Sequence, residues 1–181
     1  MSIDPLIVSE MPLEIHLFLS LSFTNMLEAA GRDPFYAQGL RFSCTRCSAC
    51  CRFESGYVFL SKKDASRLMA ALNMGYKEFT ETYCRWIFSG NGIYQLSLKE
   101  KSNNDCIFWV QGIGCSVYDS RPLQCRAFPF WSSVVNSQKD WKKTGADCPG
   151  MDRGMLHSPD SIEKWLVLQQ NEPIISKSVK N

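Results

Sequence analysis

The sequence predicts an α+β fold: a small mixed domain with short strands, several helices and a loop-rich cysteine cluster. Some short segments alternate apolar and polar residues, which is typical of half-buried strands, and others repeat apolar residues at helical spacing. Turn-forming residues separate these segments. Since 45% of the 181 residues are apolar, an ordinary hydrophobic core can form, and the cysteines need not replace one.

The first predicted element is a strand near the N-terminus. Apolar residues alternate with polar ones from Leu13 to Phe23, with one exception at Phe18, and a period of two indicates a half-buried strand. We predict three regions: an N-terminal strand and extension at 1–41, a cysteine-cluster domain at 42–150, and a C-terminal helix and tail at 151–181.

Two helices are predicted after a short strand at residues 57–60. Ser61 and Asp64 have the spacing of a capping box, with Asp in place of the usual Glu. The helix that starts there carries its apolar residues on one face and stops at Gly75. A second helix follows, with an apolar face formed by Tyr76, Phe79, Tyr83 and Ile87.

A hairpin and a final helix complete the predicted elements. Residues 93–101 and 106–110 are predicted strands, and the turn between them predicts that they pair as a hairpin. The last helix has Ser158 as its N-cap and Pro159 at its first position. It ends before Pro173 and buries Ile162, Trp165 and Leu166.

Charge and targeting signals narrow the classes of function. The net charge of +2 is too small to argue for a nucleic-acid or membrane-surface partner. No apolar run approaches the ~18 residues of a transmembrane helix, and no Lys or Arg before Arg32 supplies the basic region of a signal peptide. We therefore predict a cytoplasmic protein, in a compartment where disulfides are rare. In an exported protein, eight of the nine cysteines could pair as disulfides instead.

Four of the nine cysteines are crowded into one short run: Cys44, Cys47, Cys50 and Cys51. Core cysteines behave as scattered small hydrophobes, whereas thiols at every third residue can turn toward one centre. Soft thiolates select zinc, copper(I) or iron–sulfur clusters, so the run predicts a thiolate metal site. Adjacent side chains diverge, so Cys50 and Cys51 serve two centres, or Cys51 is spare.

The remaining cysteines are unequal candidates. Cys106, Cys115 and Cys125 each lie at the edge of a predicted element, where the backbone can turn a thiolate inward, and we favour ligation over burial for them. Cys84 lies off the apolar face of the second helix and is predicted to be structural. Bacterial ferredoxins use C-x2-C-x2-C-x3-C-P. The run matches the first three thiolates, but the only Cys-Pro pair is far downstream, at Cys148, so the match is partial.

Arginines accompany the cysteines, and the histidines do not. Four thiolates on a divalent ion leave a net charge of about −2, which guanidinium groups could offset, although solvated surface charge explains the arginines equally well. His16 and His157 lie far from the cysteines in sequence and are predicted to face solvent, which leaves all-thiolate coordination. The arginines near the cysteines are Arg41, Arg46, Arg52, Arg121 and Arg126.

Since no dinucleotide-binding, phosphate-loop or HExxH motif occurs, the sequence does not decide whether the protein is an enzyme.

The segment from Phe42 to about Gly150 resembles the CxxCxxCC cysteine-cluster family of zinc- or iron-chelating, YkgJ-like proteins. The resemblance rests on the cysteine run, on Cys106-Ile-Phe, on the motif from Gly114-Cys115 through Arg121-Pro122 and Cys125-Arg126 to Phe128-Pro129, and on Cys148-Pro149. The cysteine set is also similar to that of the longer flagellin lysine-N-methylases, whose activity cannot be carried over residue by residue. The family implies zinc or iron bound by Cys44, Cys47, Cys50, Cys51, Cys106, Cys115, Cys125 and Cys148. The partial ferredoxin match adds a 4Fe–4S cluster as one form that the iron could take.

We therefore predict a small metal-binding protein that chelates zinc or an iron–sulfur cluster through clustered thiolates. Two alternatives remain open at this point. One is an iron–sulfur-dependent enzyme that modifies proteins or performs redox chemistry, and the other is a structural zinc module that presents a surface to a protein partner. The metal content of the protein distinguishes them in part, since a colourless protein with tightly held zinc favours the structural module.

Overall fold

The computed structural model describes residues 33–178. These residues combine short helices with short strands in small sheets, which confirms the predicted α+β class. The predicted strand at 13–23 and His16 lie outside the described residues. The structure describes five α-helices and seven strands in residues 33–178: β1 Leu40–Phe42, α1 Lys62–Leu72, α2 Tyr76–Tyr83, β2 Cys84–Gly90, β3 Ile93–Leu98, β4 Trp109–Val110, β5 Gly114–Cys115, α3 Leu123–Ala127, α4 Gln138–Gly145, β6 Met151–His157, α5 Pro159–Asn171 and β7 Ser176–Ser178.

The strands form three small antiparallel sheets, with strand orders β1-β6, β2-β3-β7 and β4-β5. Strands β2 and β3 form a hairpin through the two-residue turn Asn91-Gly92, and both turn residues have positive φ. Such turns match the right-handed twist of the paired strands. The predicted short strand at 57–60 is reduced to an isolated bridge between Phe59 and Ser97 of β3.

The extent of one predicted helix and the pairing of one predicted hairpin are wrong. The second helix ends at Tyr83, and Ile87 lies in β2, because β-branched and aromatic residues at 84–90 pair with β3 instead of continuing the helix. The predicted hairpin between 93–101 and 106–110 is also absent from the described residues. Strand β3 pairs with β2 and β7, strand β4 pairs with β5, and a single bridge, Glu100 to Cys106, remains between the two predicted partners.

The caps of α1 and α5 follow the predicted signals. Ser61 accepts a hydrogen bond from the Asp64 N–H, and the Asp64 carboxylate accepts one from the Ser61 N–H, which completes the capping box. Helix α1 ends at Leu72, before Gly75, because Asn73 adopts the left-handed conformation as its C-cap. Ser158 and Pro159 start α5 as predicted, and the helix ends before Pro173.

Two clusters of buried side chains form the core. The first contains Tyr36, Phe130, Trp141, Met151 and Ile162, and Cys148 packs against it. The second contains Leu60, Leu68, Phe79, Leu96, Phe108 and the buried Cys84, and Cys106 and Cys115 pack against it. Predicted ligands therefore come from the edges of both clusters.

Strand β1 pairs with β6, so residues 40–42 contact residues 151–157. The division into 1–41, 42–150 and 151–181 stays a prediction. Within 33–178, none of the helices is both long enough and apolar enough to cross a membrane.

Candidate metal centre

Six of the eight predicted ligands surround one cavity of about 80 Å³. They come from four separate stretches of the chain, and they are Cys44, Cys50, Cys51, Cys106, Cys115 and Cys125. The other two, Cys47 and Cys148, lie near one another, since the charge of Cys47 raises the pKa of Cys148. Cys84 does not line this cavity and is buried in the second core cluster.

The sulfur atoms surround a space and do not yet converge on a point. Among residues 33–178, no three His, Cys, Asp or Glu side chains already have the geometry that a bound metal requires. Binding therefore needs side-chain rotation or a small movement of the loops. Such adjustment is expected, because thiolate sites form together with the folded structure around them.

A strained turn shapes the cysteine run. Arg46 and Ser48 both have left-handed backbone conformations, with φ of 55° and 68°. Residues Ala49–Cys51 then form a 3₁₀ turn, in which the Cys51 N–H donates to the Ser48 carbonyl across 2.9 Å. Left-handed non-glycine residues cost about 1–2 kcal/mol each and persist where their surroundings hold them, often at functional sites.

Ser43 joins the start of the cysteine run to Cys148. Its N–H donates to the Gly150 carbonyl across 3.2 Å, and its hydroxyl accepts from the Met155 N–H across 3.0 Å. A Cβ at Gly150 would overlap the Ser43 carbonyl oxygen, and a Cβ at Gly154 would overlap the Ser43 side chain. Both glycines are thus required for this close approach, which brings Cys44 beside the Cys148-Pro-Gly segment.

The end of the run is joined to Cys106. The Cys106 N–H donates to the Cys51 carbonyl across 2.8 Å. One residue further on, the Arg52 Nε donates to Asp105 across 3.0 Å, and the Arg52 guanidinium lies 3.7 Å from the centre of the Trp109 ring. Asp105 is buried, so this pair holds the two segments together away from bulk water.

Cys125 lies in the short helix α3, and contacts at the N-terminus of this helix determine where Cys125 lies. The Leu123 N–H donates to the buried Asp64 carboxylate across 2.8 Å. Pro122 precedes this helix, and the Arg126 Nε donates to the Arg121 carbonyl across 3.1 Å. Asp64 therefore caps α1 and also anchors the start of the helix that presents Cys125.

The cysteines lie close enough together that ionisation of one thiol raises the pKa of its neighbours. Burial raises the pKa of Cys106, Cys115 and Cys125, and the charges of neighbouring cysteines raise it further. A hydrogen bond between the Cys50 and Cys51 sulfurs, 3.8 Å apart, lowers the pKa of Cys50 and raises that of Cys51. A bound cation would remove this repulsion, since a metal deprotonates the thiols that coordinate it.

Arg121 is the arginine that the structure places best to offset thiolate charge. Its positive charge opposes the rise that burial causes in the pKa of Cys115 and Cys125, and it adds to the hydrogen bond from Cys51 in lowering the pKa of Cys50. The guanidinium groups of Arg121 and Arg46 lie 3.6 and 4.2 Å from the centre of the Tyr118 ring, and both arginines line the 80 Å³ cavity.

Three other arginines have different surroundings. Arg126 faces Arg67 and Asp64 and interacts with Cys125, and Arg52 pairs with Asp105. Arg41 donates to the Gly154 carbonyl across 2.9 Å.

Several residues of the site were not identified from the sequence. Ser43, Gly150, Gly154, Asp105 and Tyr118 are not among the predicted ligands, and they act by placing the cysteines or arginines. The glycines that follow Cys148 were the available signal. The prediction that His157 faces solvent is wrong, because its ring is half-buried, lies 4.8 Å from the Phe130 ring and contacts the Phe42 carbonyl across 3.1 Å.

Cys50 also faces two further cavities. One has a volume of about 210 Å³ and contains Cys51, Cys106 and Cys125 in its lining. The other is a groove of about 490 Å³ that Cys148 shares with Cys50. Phe128, Trp131 and Glu54 line both. Cys50 is therefore the thiol that connects the cysteine cluster to the surrounding clefts.

The fold and the site together define a small α+β domain that gathers cysteines from distant parts of the chain. The chain belongs to the CxxCxxCC family, whose model, described as "Putative zinc- or iron-chelating domain", matches residues 43–149. This membership supports metal binding as the general function, with zinc or iron as the metal.

One relative is itself of unknown function. The chain is 31% identical over 104 residues to the uncharacterized protein MJ0661 of Methanocaldococcus jannaschii. The match covers 57% of this chain and 52% of the relative, so the chain spans about half of that protein's length. No solved structure matches the chain.

Proposed function

We propose that the protein chelates zinc or an iron–sulfur cluster through the thiolates of the eight cysteines that the CxxCxxCC motif contains. The observation that carries this proposal is the cavity of about 80 Å³, around which six cysteines from four stretches of chain assemble. Scattered core cysteines would not be expected to collect in this way. The proposal includes a cytoplasmic location. It includes no nucleic-acid partner, because the net charge of +2 is too small to argue for one.

The donor set fits a soft metal. The cavity lining contains thiols, arginines, apolar side chains and the hydroxyls of Ser48 and Tyr118, with no carboxylate and no histidine. Hard ions such as calcium and magnesium need oxygen ligands, whereas zinc and iron–sulfur clusters are held by thiolates. The neighbouring Arg121 would offset part of the negative charge that several thiolates leave on the centre.

A second candidate function is an iron–sulfur-dependent enzyme that modifies proteins or performs redox chemistry. The groove of about 490 Å³ favours this candidate, because it leads from solvent to Cys50 and Cys148. Aromatic side chains, Phe128 and Trp131, form part of its wall. Catalytic metal sites keep one face open to a substrate, whereas structural zinc sites are closed. A structural zinc module that serves a protein partner is the remaining alternative.

The deciding experiment is anaerobic purification followed by measurement of zinc, iron and acid-labile sulfide per chain. Stoichiometric zinc without sulfide supports a zinc centre, and iron with equivalent sulfide supports a cluster. Cys47→Ser should lower metal content sharply, because serine is a poor ligand for soft metals. Cys84→Ser is the matched control and should retain the metal. Protein that is folded, reduced and free of all metal would refute the proposed function.

A further inference from the structure

Eight thiolate ligands are more than one ordinary centre uses. A structural zinc ion takes four ligands, and a cubane iron–sulfur cluster is also held by four cysteines. The proposed function therefore raises the question of how eight cysteines divide. The contacts among the described residues support one division into two groups of four.

The first group, here called the inner quartet, consists of Cys51, Cys106, Cys115 and Cys125. All four line the 80 Å³ cavity and are half-buried. The Cys106 N–H bonds to the Cys51 carbonyl, which fixes these two residues side by side. Cys125 interacts electrostatically with both Cys106 and Cys115, so the three later cysteines are mutual neighbours.

The second group, here called the outer quartet, consists of Cys44, Cys47, Cys50 and Cys148. The Ser43–Gly150 hydrogen bond places Cys44 beside Cys148, even though Cys44 also reaches the 80 Å³ cavity. Cys47 and Cys50 both interact with Cys148, and Cys50 shares the large groove with it. The first three members are exposed, whereas Cys148 is half-buried.

The outer quartet has the sequence spacing of a bacterial ferredoxin run, C-x2-C-x2-C, together with a Cys-Pro pair. In two-cluster ferredoxins, the cysteine before proline ligates the other cluster, so each C-x2-C-x2-C run is completed by a Cys-Pro from elsewhere in the chain. Here the run Cys44, Cys47, Cys50 lies beside the remote Cys148-Pro149. The fold thus assembles in space a motif that the sequence contains only in part.

The division depends on the adjacent Cys50 and Cys51. Cys50 interacts with the three later cysteines of the inner quartet as well as with Cys148. It lines the groove that contains Cys148, whereas Cys51 does not line that groove. Cys51 is instead tied to Cys106 and interacts with Cys125. Exchanging Cys50 and Cys51 would leave the outer quartet with Cys47 but not Cys50 as a neighbour of Cys148.

We propose that the chain holds two separate four-thiolate centres: a 4Fe–4S cluster on the outer quartet, open to the groove, and a single tetrahedral ion on the inner quartet. The inference rests on the proposed function and extends it. The outer centre is the reactive one, because three of its ligands are exposed and the groove of about 490 Å³ reaches it. The inner centre joins the run to the segments that carry Cys106, Cys115 and Cys125 and is structural.

The test compares Cys148→Ser, Cys106→Ser and the control Cys84→Ser, each purified anaerobically. We expect Cys148→Ser to lose essentially all acid-labile sulfide and its iron while retaining one metal ion per chain. Cys106→Ser should retain the four sulfides and lose the single ion. Cys84→Ser should retain both. If Cys148→Ser and Cys106→Ser each lose all metal while remaining folded by near-ultraviolet circular dichroism, the eight cysteines form one centre and the inference is overturned.

A measurement on the unaltered protein covers the case in which a variant does not fold. Addition of a chelator in excess should remove metal in two phases, with iron and sulfide leaving at least about tenfold faster than the single ion. Release of all metal in one phase, or a total of one centre per chain, would overturn the two-centre inference and leave the proposed function intact. A protein that holds no metal at all would refute both.

Discussion

The N–H of Ser43 donates a hydrogen bond of 3.2 Å to the carbonyl of Gly150. These two residues lie at opposite ends of the cysteine motif, one directly before Cys44 and the other two residues after Cys148. Pairing between β1 and β6 continues the same contact, with Phe42 opposite Met151. Backbone hydrogen bonding, and not metal alone, therefore brings the first and last cysteines together.

Gly150→Ala should break this approach, because the added Cβ would overlap the Ser43 carbonyl oxygen. Backbone would have to move, and overpacking of this kind costs about 1–3 kcal/mol. We expect a lower midpoint of urea unfolding and a reduced metal content. Gly56→Ala is the matched control, since nothing lies within 4 Å of a Cβ there. Equal effects of the two substitutions would show that the Ser43–Gly150 contact does not position Cys44.

Arg121→Gln should accelerate loss of metal to a chelator. The Arg121 charge acts on Cys50, Cys115 and Cys125, and loss of about 1 kcal/mol of attraction at a partly exposed site corresponds to roughly a fivefold change in rate. Arg126→Gln should have a smaller effect, because Cys125 is the thiol with which Arg126 interacts. Lys142→Gln, on the exposed face of α4, is the control. Similar rates for Arg121→Gln and Lys142→Gln would contradict this role for Arg121.

Removal of metal under reducing conditions should lower the thermal midpoint of unfolding substantially. The predicted ligands lie at the edges of both core clusters, with Cys148 against one and Cys106 and Cys115 against the other. Structural zinc contributes about 10–16 kcal/mol in zinc-finger peptides, which is comparable to the whole stability of a typical domain, about 5–15 kcal/mol. Calorimetry before and after chelation measures the difference. An unchanged cooperative transition would argue against a metal that supports folding.

The stability of the protein should fall in acid partly because of Glu100. Burial raises the pKa of this carboxyl, but hydrogen bonds from the Gly56 N–H, Arg85 and Ser55 outweigh burial and bring it below the usual 4.5. The unfolded chain then binds more protons than the folded protein, so this contribution is present above about pH 4.5 and is lost as the pH falls through the lowered pKa.

Glu100→Gln should therefore lose less stability than the unaltered protein between about pH 6 and about pH 3.5. Urea unfolding at the two pH values measures this difference, and loss of metal in acid affects both proteins alike. Glu81→Gln, an exposed carboxylate of α2, serves as the reference variant. A pH dependence that Glu100→Gln leaves unchanged would show that another carboxyl dominates.

Cys84→Ser should lower the free energy of unfolding and leave the metal content unchanged. Cys84 is 5% exposed, and burial raises its pKa to about 12. A buried hydroxyl without a matched partner destabilises a protein by about 1–3 kcal/mol. Chemical denaturation and metal analysis on the same preparation separate the two effects. A metal loss as large as that of Cys47→Ser would mean that Cys84 is a ligand.

Local signals in the sequence predicted the parts of the fold that depend on neighbouring residues. The Ser61–Asp64 capping box and the Ser158-Pro159 helix start both appear as predicted, because caps involve residues within one turn. Strand pairing depends on distant partners and was predicted wrongly for β3. The Asn91-Gly92 turn, which joins β2 to β3, is a strong hairpin signal, and it conflicts with the helical spacing of apolar residues through Ile87.

The site shows the same contrast. The cysteines could be recognised as candidate ligands because thiols at this spacing have a direct chemical meaning. Their grouping could not be recognised, since it follows from tertiary contacts such as Ser43 with Gly150 and Cys51 with Cys106. Arg121 and Arg126 looked equivalent in sequence, and the fold places the charge of Arg121 near three thiols.

The distance along the chain between Cys44 and Cys148 has a consequence for synthesis of the protein. Roughly a hundred residues separate them, and ribosomes add about 5–20 residues per second, so the run emerges some 5–20 seconds before its last predicted ligand. During that interval the nascent chain displays a row of thiols without the Cys148-Pro149 segment that faces them in the folded protein. We expect the nascent chain to be more vulnerable than the folded protein to oxidation of these thiols and to binding of the wrong metal.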